Sequence, residues 1–281
     1  MEITNLKNSS TSEILKAFNL SFSDYVIPLQ LTEQQFQDKL LAEDIDLEWS
    51  FGAFEENKLV GLILHGFRNN KLYNAGTGVI PEYRGNKITQ KLYDFVLEKA
   101  KLENITTIQL EVITDNSIAI KTYQNIGFEI IRTLNCYKGT LNVEKMESPF
   151  EISELNASDF KVLNSLSNYQ PTWQNSPETI ENLHKINTIK IIGVLNEKEI
   201  IGHLIFNTTS KKIHLIGINE NYDRTVIVNN LFKFISDNYF TDVLIINIDD
   251  SAENTISSFN AVGLNCFLKQ YEMKMDINKK A

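Results

Sequence analysis

The chain contains one stretch of sequence twice, and this internal repeat constrains its fold more than any other feature. Residues 217–235 align with residues 78–96 without a gap, and Tyr222 falls over Tyr83. After a polar segment at 142–150, the order of predicted strands and helices begins again. Agreement of pattern, spacing and element order over such a length indicates two copies of one structural unit. We therefore predict two domains, residues 1–141 and 150–281.

Composition excludes several classes of protein. The 281 residues are 42% hydrophobic, enough for two domains with apolar cores. A net charge of −9 argues against a nucleic-acid partner, since phosphate binding needs a basic face. Two cysteines are too few for a disulfide framework or a cysteine-based zinc site, and no metal is predicted. Short apolar runs and a polar N-terminus predict a cytoplasmic protein without a membrane segment.

Residues 78–95 run from an apolar strand through a turn into an amphipathic helix. The turn carries Arg84, Gly85, Asn86 and Lys87. A helix N-terminus presents unpaired backbone N–H groups and partial positive charge, which suit a pyrophosphate. This turn is predicted to hold coenzyme A. The alternative is an ordinary strand–helix connection.

Two motifs of the first copy resemble a known family over roughly residues 10–140. The first is a strand followed by a turn and a helix start, represented here by Val79, Pro81, Arg84, Gly85, Lys87, Ile88 and Thr89. The second comprises a strand, an Asn, a small residue, a Tyr and Gly-Phe, represented here by 110–112, Asn116, Ala119, Tyr123, Gly127 and Phe128. Together and in this order they resemble the GCN5-related N-acetyltransferases (GNAT).

The resemblance implies an α+β fold in which each copy is a mixed, mostly antiparallel sheet flanked by helices. It also implies that acetyl-coenzyme A is the co-substrate. The implied cofactor-binding residues are Val79, Arg84, Gly85, Asn86, Lys87, Ile88, Thr89, Asn116 and Tyr123. Asn116 could also be a plain helix N-cap. Lys87 departs from the family, which usually has a glycine there, and lysine adopts a positive φ less cheaply than glycine does.

Catalytic roles follow from the same resemblance. Tyr123 is placed to protonate the leaving thiolate or to hydrogen-bond it, although it could be a half-buried packing residue. Glu111 is the best candidate for the general base by its position on a strand, and an ordinary strand role is the alternative. Asp24 and Tyr25, in a break before Pro28, are implied to line the acceptor site. His65 is interpreted as structural.

The second copy lacks the cofactor motif. Asn219 replaces the proline, and Asp223 places an anion where a phosphate would lie. Phe259 falls over Tyr123 and lacks the hydroxyl that a general acid needs. We predict that this copy is degenerate and does not bind coenzyme A.

The predicted activity is direct transfer of an acetyl group from acetyl-coenzyme A to a primary amine of a small molecule or peptide. The protein is expected to be a monomer or weak dimer. A non-catalytic acyl-coenzyme A sensor and an interaction protein that binds no nucleotide are the competing hypotheses.

Overall fold

The computed structural model describes residues 1–25, 29–144, 146–156 and 160–279. Pro28 of the predicted break, Lys145 of the polar segment and the last two residues of the second predicted domain lie outside these ranges. The chain divides into two compact units. Unit 1 comprises Met1–Ile131 and Tyr271–Ala281, and unit 2 comprises Arg132–Gln270.

Unit 1 follows the predicted order of elements closely. Its elements are β1 (Glu2–Asn5), α1 (Thr11–Ser21), α2 (Glu33–Ala42), β2 (Phe51–Glu55), β3 (Lys58–Arg68), β4 (Lys71–Val79), α3 (Ile88–Leu102), β5 (Thr107–Ile113) and α4 (Ser117–Ile126). The C-terminal part of β12 (Asn265–Asp276) lies beside β5. Neighbouring strands from β1 to β4 are antiparallel, whereas β4 and β5 are parallel. The predicted mixed, mostly antiparallel sheet is confirmed.

The main core of unit 1 lies between one face of this sheet and α3 with α4. The residues that face each other there include Leu92, Val96 and Ala100 of α3, Leu110 and Val112 of β5, and Met273 and Met275 of β12. Ile14 and Phe18 of α1 are buried outside this cluster, and α1 contacts β3 and β4. The helices α1 and α2 therefore cover the opposite face, where Phe18 and Phe36 bring their rings to 6.0 Å.

Unit 2 repeats this plan. Its elements are β6 (Glu129–Thr140, from Arg132), β7 (Glu151–Glu154), α5 (Phe160–Ser165), α6 (Pro177–Lys185), β8 (Ile189–Asn196), β9 (Glu199–Asn207), β10 (Lys212–Ile218), α7 (Arg224–Asn238), β11 (Asp242–Asp249) and α8 (Glu253–Ala261). The parallel pair is β10 with β11, matching β4 with β5. The strand pairs β7–β8, β8–β9, β9–β10 and β6–β11 are antiparallel.

Each copy has a glycine at the same place in its second long strand, and close packing explains why no larger residue stands there. A Cβ on Gly61 would lie 2.8 Å from the Ile88 Cγ2, and one on Gly202 would lie 2.3 Å from the Ile227 Cγ2. Both contacts are shorter than van der Waals packing allows. The first turn of α3 or α7 therefore rests directly on the backbone of the strand beneath it.

The two units differ from the predicted domains in two segments. Residues 132–141 belong to unit 2 and residues 271–281 to unit 1, although they were predicted in the domains 1–141 and 150–281. Each sheet takes its last strand from the other half of the sequence. Both strands have similar apolar alternation, so sequence order alone assigns them to the preceding helices. The short edge strands β1 and β7 were also not predicted, because four polar-rich residues carry little periodicity.

Across the residues that the structure describes, no helix is both long enough and apolar enough to span a bilayer.

Candidate active site

A break in the ladder between β4 and β5 opens a notch at the carboxyl ends of these strands. The two strands pair from Lys71 with Thr107 to Tyr73 with Gln109. A β-bulge then places one extra residue in β4 between Asn74 and Gly76, and the Asn74 Oδ1 accepts a hydrogen bond of 3.0 Å from the Gly76 N–H. A bulge bends its strand and disrupts the ladder. Beyond it, the ends of β4 and β5 diverge without further pairing among the described residues.

The N-terminus of α3 is open beside this notch. Its N-cap is Lys87, whose side chain makes no capping hydrogen bond. None of the backbone N–H groups of residues 85–90 has a hydrogen-bond partner among the residues that the structure describes. The helix dipole adds partial positive charge at the same point. The turn therefore offers a set of unpaired N–H donors that suits an anion.

Lys87 adopts the conformation that a glycine would supply. Its φ of 57° and ψ of 28° lie in the left-handed region, which costs a non-glycine residue about 1–2 kcal/mol. Gly85 is also left-handed, with a φ of 81°, and a Cβ added there would meet no described atom within 4 Å. The family's second glycine is thus replaced by a lysine that keeps the backbone shape and adds a cation.

The side chain of Arg84 is engaged with the protein. Its guanidinium forms a bidentate ion pair with Asp24 at 2.6 and 2.8 Å and donates to the Ser21 carbonyl at 3.0 Å. Its Nε donates to the Val79 carbonyl at 3.1 Å, and its backbone N–H donates to the Pro81 carbonyl. The hydrogen bond from Arg84 lowers the pKa of Asp24. Residues predicted for the cofactor and acceptor sites are therefore paired with each other, and they anchor the turn to the end of α1.

The other residues of the predicted turn offer their backbone N–H groups rather than their side chains. Asn86 is exposed and donates through Nδ2 to the Tyr83 carbonyl at 3.0 Å. Ile88 is buried in the core, and Thr89 is half-buried in the first turn of α3. Their N–H groups, like those of the neighbouring turn residues, have no hydrogen-bond partner among the described residues.

The counterpart of this turn in unit 2 is closed. Asp223 is the N-cap of α7, and its carboxylate accepts hydrogen bonds from the N–H groups of Thr225 and Val226 at 2.9 and 3.4 Å. An N-cap carboxylate satisfies donors that would otherwise bind an external anion. Asp223 was predicted to repel a phosphate by its charge. Its carboxylate also occupies the N–H donors at the start of α7 that a phosphate would need.

Replacing Asp223 by alanine should destabilise the protein by about 1 kcal/mol, because the cap of α7 is lost. The affinity for acetyl-coenzyme A should not change, since the turn that is predicted to bind it is in unit 1. Urea unfolding and calorimetric titration measure the two quantities. Asp223→Asn is the matched control, since asparagine caps a helix without the charge. An affinity change of tenfold or more in either variant would contradict a silent second copy.

Tyr123 brings its hydroxyl to the bulged part of β4. It lies on α4, half-buried, with its ring 6.1 Å from that of Tyr93 and 5.7 Å from that of Phe128. Burial raises the pKa of the Tyr123 hydroxyl, and hydrogen bonding with Thr77 and Asn74 partly offsets this. In unit 2, Phe259 is fully buried and packs against the rings of Tyr137 and Phe232.

Asn74 and Thr77 were missed by the sequence reasoning. The Asn74 Nδ2 donates to the Thr77 Oγ1 and to the Tyr93 hydroxyl, both at 2.8 Å. Asn74 is 6% exposed, so this network is inside the protein. An asparagine followed by Ala-Gly in the middle of a predicted strand is an available signal, because such residues are depleted in strands and mark bulges.

Asn116 and Tyr25 lie together. The Asn116 Oδ1 accepts a hydrogen bond of 3.1 Å from the Ala119 N–H, which makes it the N-cap of α4. Burial raises the pKa of Tyr25, and a hydrogen bond with the Asn116 side chain lowers it in part. The capping role that was left open for Asn116 is present, and a predicted acceptor residue lies beside it.

Glu111 occupies the other side of the sheet from Tyr123. Its neighbours Leu110 and Val112 point into the core beneath α3, so Glu111 points to the opposite face. Its Oε2 accepts a hydrogen bond of 2.6 Å from the Tyr73 hydroxyl, while its Oε1 is buried with no hydrogen-bond partner among the described residues. Burial, with further contributions from Glu272 and Glu43, raises the pKa of Glu111 to about 8. This carboxyl can therefore exchange a proton near neutral pH.

His65 has the structural role that was predicted. Its ring is fully buried, and Nδ1 lies 2.9 Å from the Trp49 carbonyl oxygen. Burial lowers its pKa to about 4, so it is neutral at physiological pH. No group of three or more metal-binding side chains occurs within the described ranges.

Comparison with known proteins finds a family match over part of the chain. The sequence profile of the acetyltransferase (GNAT) family matches residues 13–128. This stretch of the first unit therefore matches the GNAT family. This match includes the notch, the turn at the start of α3, Glu111 and Tyr123.

Two curated proteins that are similar to part of this chain are acetyltransferases. Mycothiol acetyltransferase of Brachybacterium faecium is 25% identical over 138 residues, which is 46% of this chain and 41% of the relative. N-alpha-acetyltransferase 30 of Schizosaccharomyces pombe is 30% identical over 86 residues, which is 29% of this chain and 57% of the relative. The chain thus spans about half the length of the curated relatives that it matches.

Solved structures match the whole chain in fold. A tandem GNAT protein from the clavulanic acid biosynthesis pathway has a TM-score of 0.73 at 11% identity, covering 98% of both chains. A GCN5-related N-acetyltransferase from Sphaerobacter thermophilus has a TM-score of 0.73 at 12% identity, covering 98% of this chain and 95% of that one. Identities this low show the fold alone, and they confirm the tandem α+β architecture.

Proposed function

We propose that the protein is an N-acetyltransferase that moves an acetyl group from acetyl-coenzyme A directly to a primary amine. The observation that carries this proposal is the placement of Glu111 and Tyr123 on opposite faces of the sheet, on either side of the notch between β4 and β5. A base on one side and a proton donor on the other suit transfer from a thioester to an amine. Unit 1 would be the active unit.

The residues present fit acetyl-coenzyme A. The free N–H groups of residues 85–90 and the cation of Lys87 would hold its pyrophosphate. The diverging ends of β4 and β5 would receive the pantetheine arm, whose amides need backbone partners. The Val79 carbonyl is the exception, since it already accepts from Arg84. When bound, acetyl-coenzyme A supplies an acetyl group activated as a thioester.

Glu111 would take the proton of the acceptor. An alkylammonium has a pKa of about 10.4, so transfer to a carboxylate with a pKa near 8 costs about 3 kcal/mol, against about 8 kcal/mol for an ordinary glutamate near 4.5. The same shift leaves about one Glu111 in ten ionised at pH 7. The raised pKa therefore lowers the cost of proton transfer to Glu111 by more than it costs to ionise the carboxyl at pH 7.

Tyr123 would donate to the departing sulfur. A tyrosine with a pKa above 10 is a weaker acid than a thiol near 8.5, so full transfer is uphill by about 2 kcal/mol or more. A hydroxyl held by Asn74 and Thr77 can still stabilise the developing thiolate as a hydrogen-bond donor. Its orientation is fixed before the reaction, because the surrounding network is buried.

The acceptor is proposed to be a primary amine on a small molecule or peptide. The protein itself is proposed to be cytoplasmic and to act as a monomer or weak dimer. The net charge of −9 favours a cationic acceptor over a nucleic acid.

Acetyl-coenzyme A at 100 times its Kd should stabilise the protein by about 2.7 kcal/mol, because it binds only the folded state. Thermal unfolding with and without the compound measures this shift. Desulfo-coenzyme A should give a similar shift, since the turn binds the pyrophosphate. The absence of any shift would overturn the cofactor assignment.

Coenzyme A release with a panel of polyamines, amino acids, aminoglycosides and peptides tests the reaction itself. Mass spectrometry of the acetylated product is preferable to a thiol reagent, because the exposed Cys266 would react as well. Acetylated product with any amine supports the proposal. A thermal shift without turnover on the panel would instead indicate an acyl-coenzyme A sensor.

A further inference from the structure

We propose that Tyr73, on β4, is a positioning residue that holds the Glu111 carboxyl so that one oxygen remains free to take the proton of the acceptor. This inference rests on the proposed function, since it concerns the residue that would act as the base. Tyr73 precedes Val79, the first residue of the GNAT motifs, and no motif indicated a role for it.

The contact between Tyr73 and Glu111 is direct and lies inside the protein. The Tyr73 hydroxyl donates a hydrogen bond of 2.6 Å to the Glu111 Oε2, and Tyr73 is only 2% exposed. The Glu111 Oε1 is buried and has no hydrogen-bond partner among the described residues. The last torsion of a glutamate side chain is broad when nothing restrains it. A hydrogen bond to one oxygen restrains that torsion, so the other oxygen keeps a fixed direction.

The β-bulge in β4 explains why these two residues meet. Tyr73 and Gln109 form the last pair of the ladder between β4 and β5, and the bulge then interrupts the pairing before Glu111 is reached. Leu72 and Leu110, which precede the two residues in their strands, lie in the core beneath α3. Successive side chains point to opposite faces, so Tyr73 and Glu111 share the face that α1 and α2 cover. The phenol of Tyr73 is long enough to cross diagonally to Glu111.

Unit 2 lacks both members of this pair, although it has the same strands. The bulge in β10 begins one residue after Lys212, as that in β4 begins one residue after Tyr73. Lys212 is therefore the counterpart of Tyr73. Counted along the parallel partner strand, Ile246 is the counterpart of Glu111. The fold that both copies share thus does not require the pair, and the pair occurs in the copy that has the open turn.

Other charged groups near this face come from α2 and the residue that follows its cap, from the end of β3 and from β12. They are Lys39, Glu43, Asp44, Arg68 and Glu272. The two cations are each paired with a carboxylate of this set, at 2.7 and 2.5 Å. Burial does most to raise the pKa of Glu111, and the hydrogen bond from Tyr73 does most to lower it. Removing the hydroxyl should therefore raise this pKa, because the ionised carboxylate loses its donor.

Replacing Tyr73 by phenylalanine keeps the ring and removes the hydrogen bond. The value of kcat/KM for an acetylated amine should fall about tenfold, because the carboxyl loses its fixed orientation. The acidic limb of the pH profile should move to higher pH by about one unit, which a merely structural loss would not cause. The Kd of acetyl-coenzyme A should not change, since residues 85–90 are untouched. A limb that stays in place would overturn the proposal.

Tyr93→Phe is the matched control, because it also removes a buried tyrosine hydroxyl, one on the α3 side of the sheet. Its acidic limb should coincide with that of the wild type. An equal movement in both variants would mean that the loss of any buried hydroxyl disturbs the site, which would contradict a specific role of Tyr73.

Carbon-13 NMR of protein labelled at the glutamate δ-carbons measures the contact without turnover. The signal that disappears in Glu111→Gln identifies Glu111, and its midpoint should rise by about one pH unit in Tyr73→Phe. An unchanged midpoint would overturn the proposal. If no amine is acetylated, the proposed function fails, while this titration still decides whether Tyr73 holds Glu111.

A tyrosine label in the wild-type protein covers the case in which Tyr73→Phe does not fold. Burial raises the pKa of Tyr73, so its phenol stays protonated while Glu111 titrates. One tyrosine Cζ signal should follow the midpoint of Glu111 and stop doing so in Glu111→Gln. The lack of such a signal would contradict the hydrogen bond.

Discussion

Replacing Tyr123 by phenylalanine should lower kcat by about 10²–10³-fold, because the leaving thiolate would lose its positioned hydrogen-bond donor. The Kd of acetyl-coenzyme A should change by less than about threefold, since the turn at residues 85–90 is untouched. Steady-state kinetics and calorimetric titration measure the two quantities. This split between kcat and Kd is the signature of a group that acts in the transition state.

Tyr93→Phe is the matched control for this variant. It removes a hydroxyl from the same network, the one that accepts from the Asn74 Nδ2 at 2.8 Å. Its loss should cost about 1 kcal/mol of stability and leave kcat within a few-fold. Equal losses of kcat in both variants would mean that the network only supports the notch. An unchanged kcat in Tyr123→Phe would remove this residue from the mechanism.

Replacing Glu111 by glutamine should lower kcat/KM by about 10²-fold or more while stabilising the protein at pH 8. Glutamine can still accept the hydrogen bond of Tyr73, but it cannot take a proton. It also carries no charge, so the cost of ionising a buried carboxyl disappears. Loss of activity together with gain of stability distinguishes a functional group from a structural one.

The sign of the stability change follows from the raised pKa. Between about 4.5 and 8, the folded protein keeps the Glu111 proton that the unfolded chain has lost. Stability from this group is therefore fully present below pH 4.5 and falls as the pH rises through 8. The advantage of Glu111→Gln over wild type should grow by about 2–4 kcal/mol between pH 5 and pH 8.

Urea unfolding of wild type and Glu111→Gln at the two pH values tests this directly. Glu98→Gln, on the exposed side of α3, should show no such growth. A constant difference between wild type and Glu111→Gln at both pH values would show that Glu111 has an ordinary pKa. The argument that Glu111 is the base, which rests on its raised pKa, would then fail.

Much of the fold could be predicted from the sequence because the determining signals are local. The strand at 107–113 and the helix at 117–126 agree with β5 and α4 at both ends. Apolar alternation and the glycine after the helix specify them without reference to the rest of the chain. The difference between the turns at the starts of α3 and α7 could also be predicted from local sequence, since aspartate is a residue type that commonly caps helices.

The parts that could not be predicted depend on contacts between distant residues. Arg84 and Asp24 are 60 residues apart, and nothing in either motif indicates that they pair. Glu272 reaches the face of Glu111 only because the last strand joins unit 1. The bulge after Asn74 is local, but the network that it forms with Tyr93 and Tyr123 requires α3 and α4 to be in place.

Lys87 shows what the family motif specifies at its second glycine position. The backbone there is left-handed even though the residue is a lysine with φ of 57°. The position thus prescribes a torsion angle, and glycine is the least costly residue that meets it. A pattern search that demands glycine would pass over chains of this kind. A search that accepts any residue with a left-handed turn before the helix would recover them.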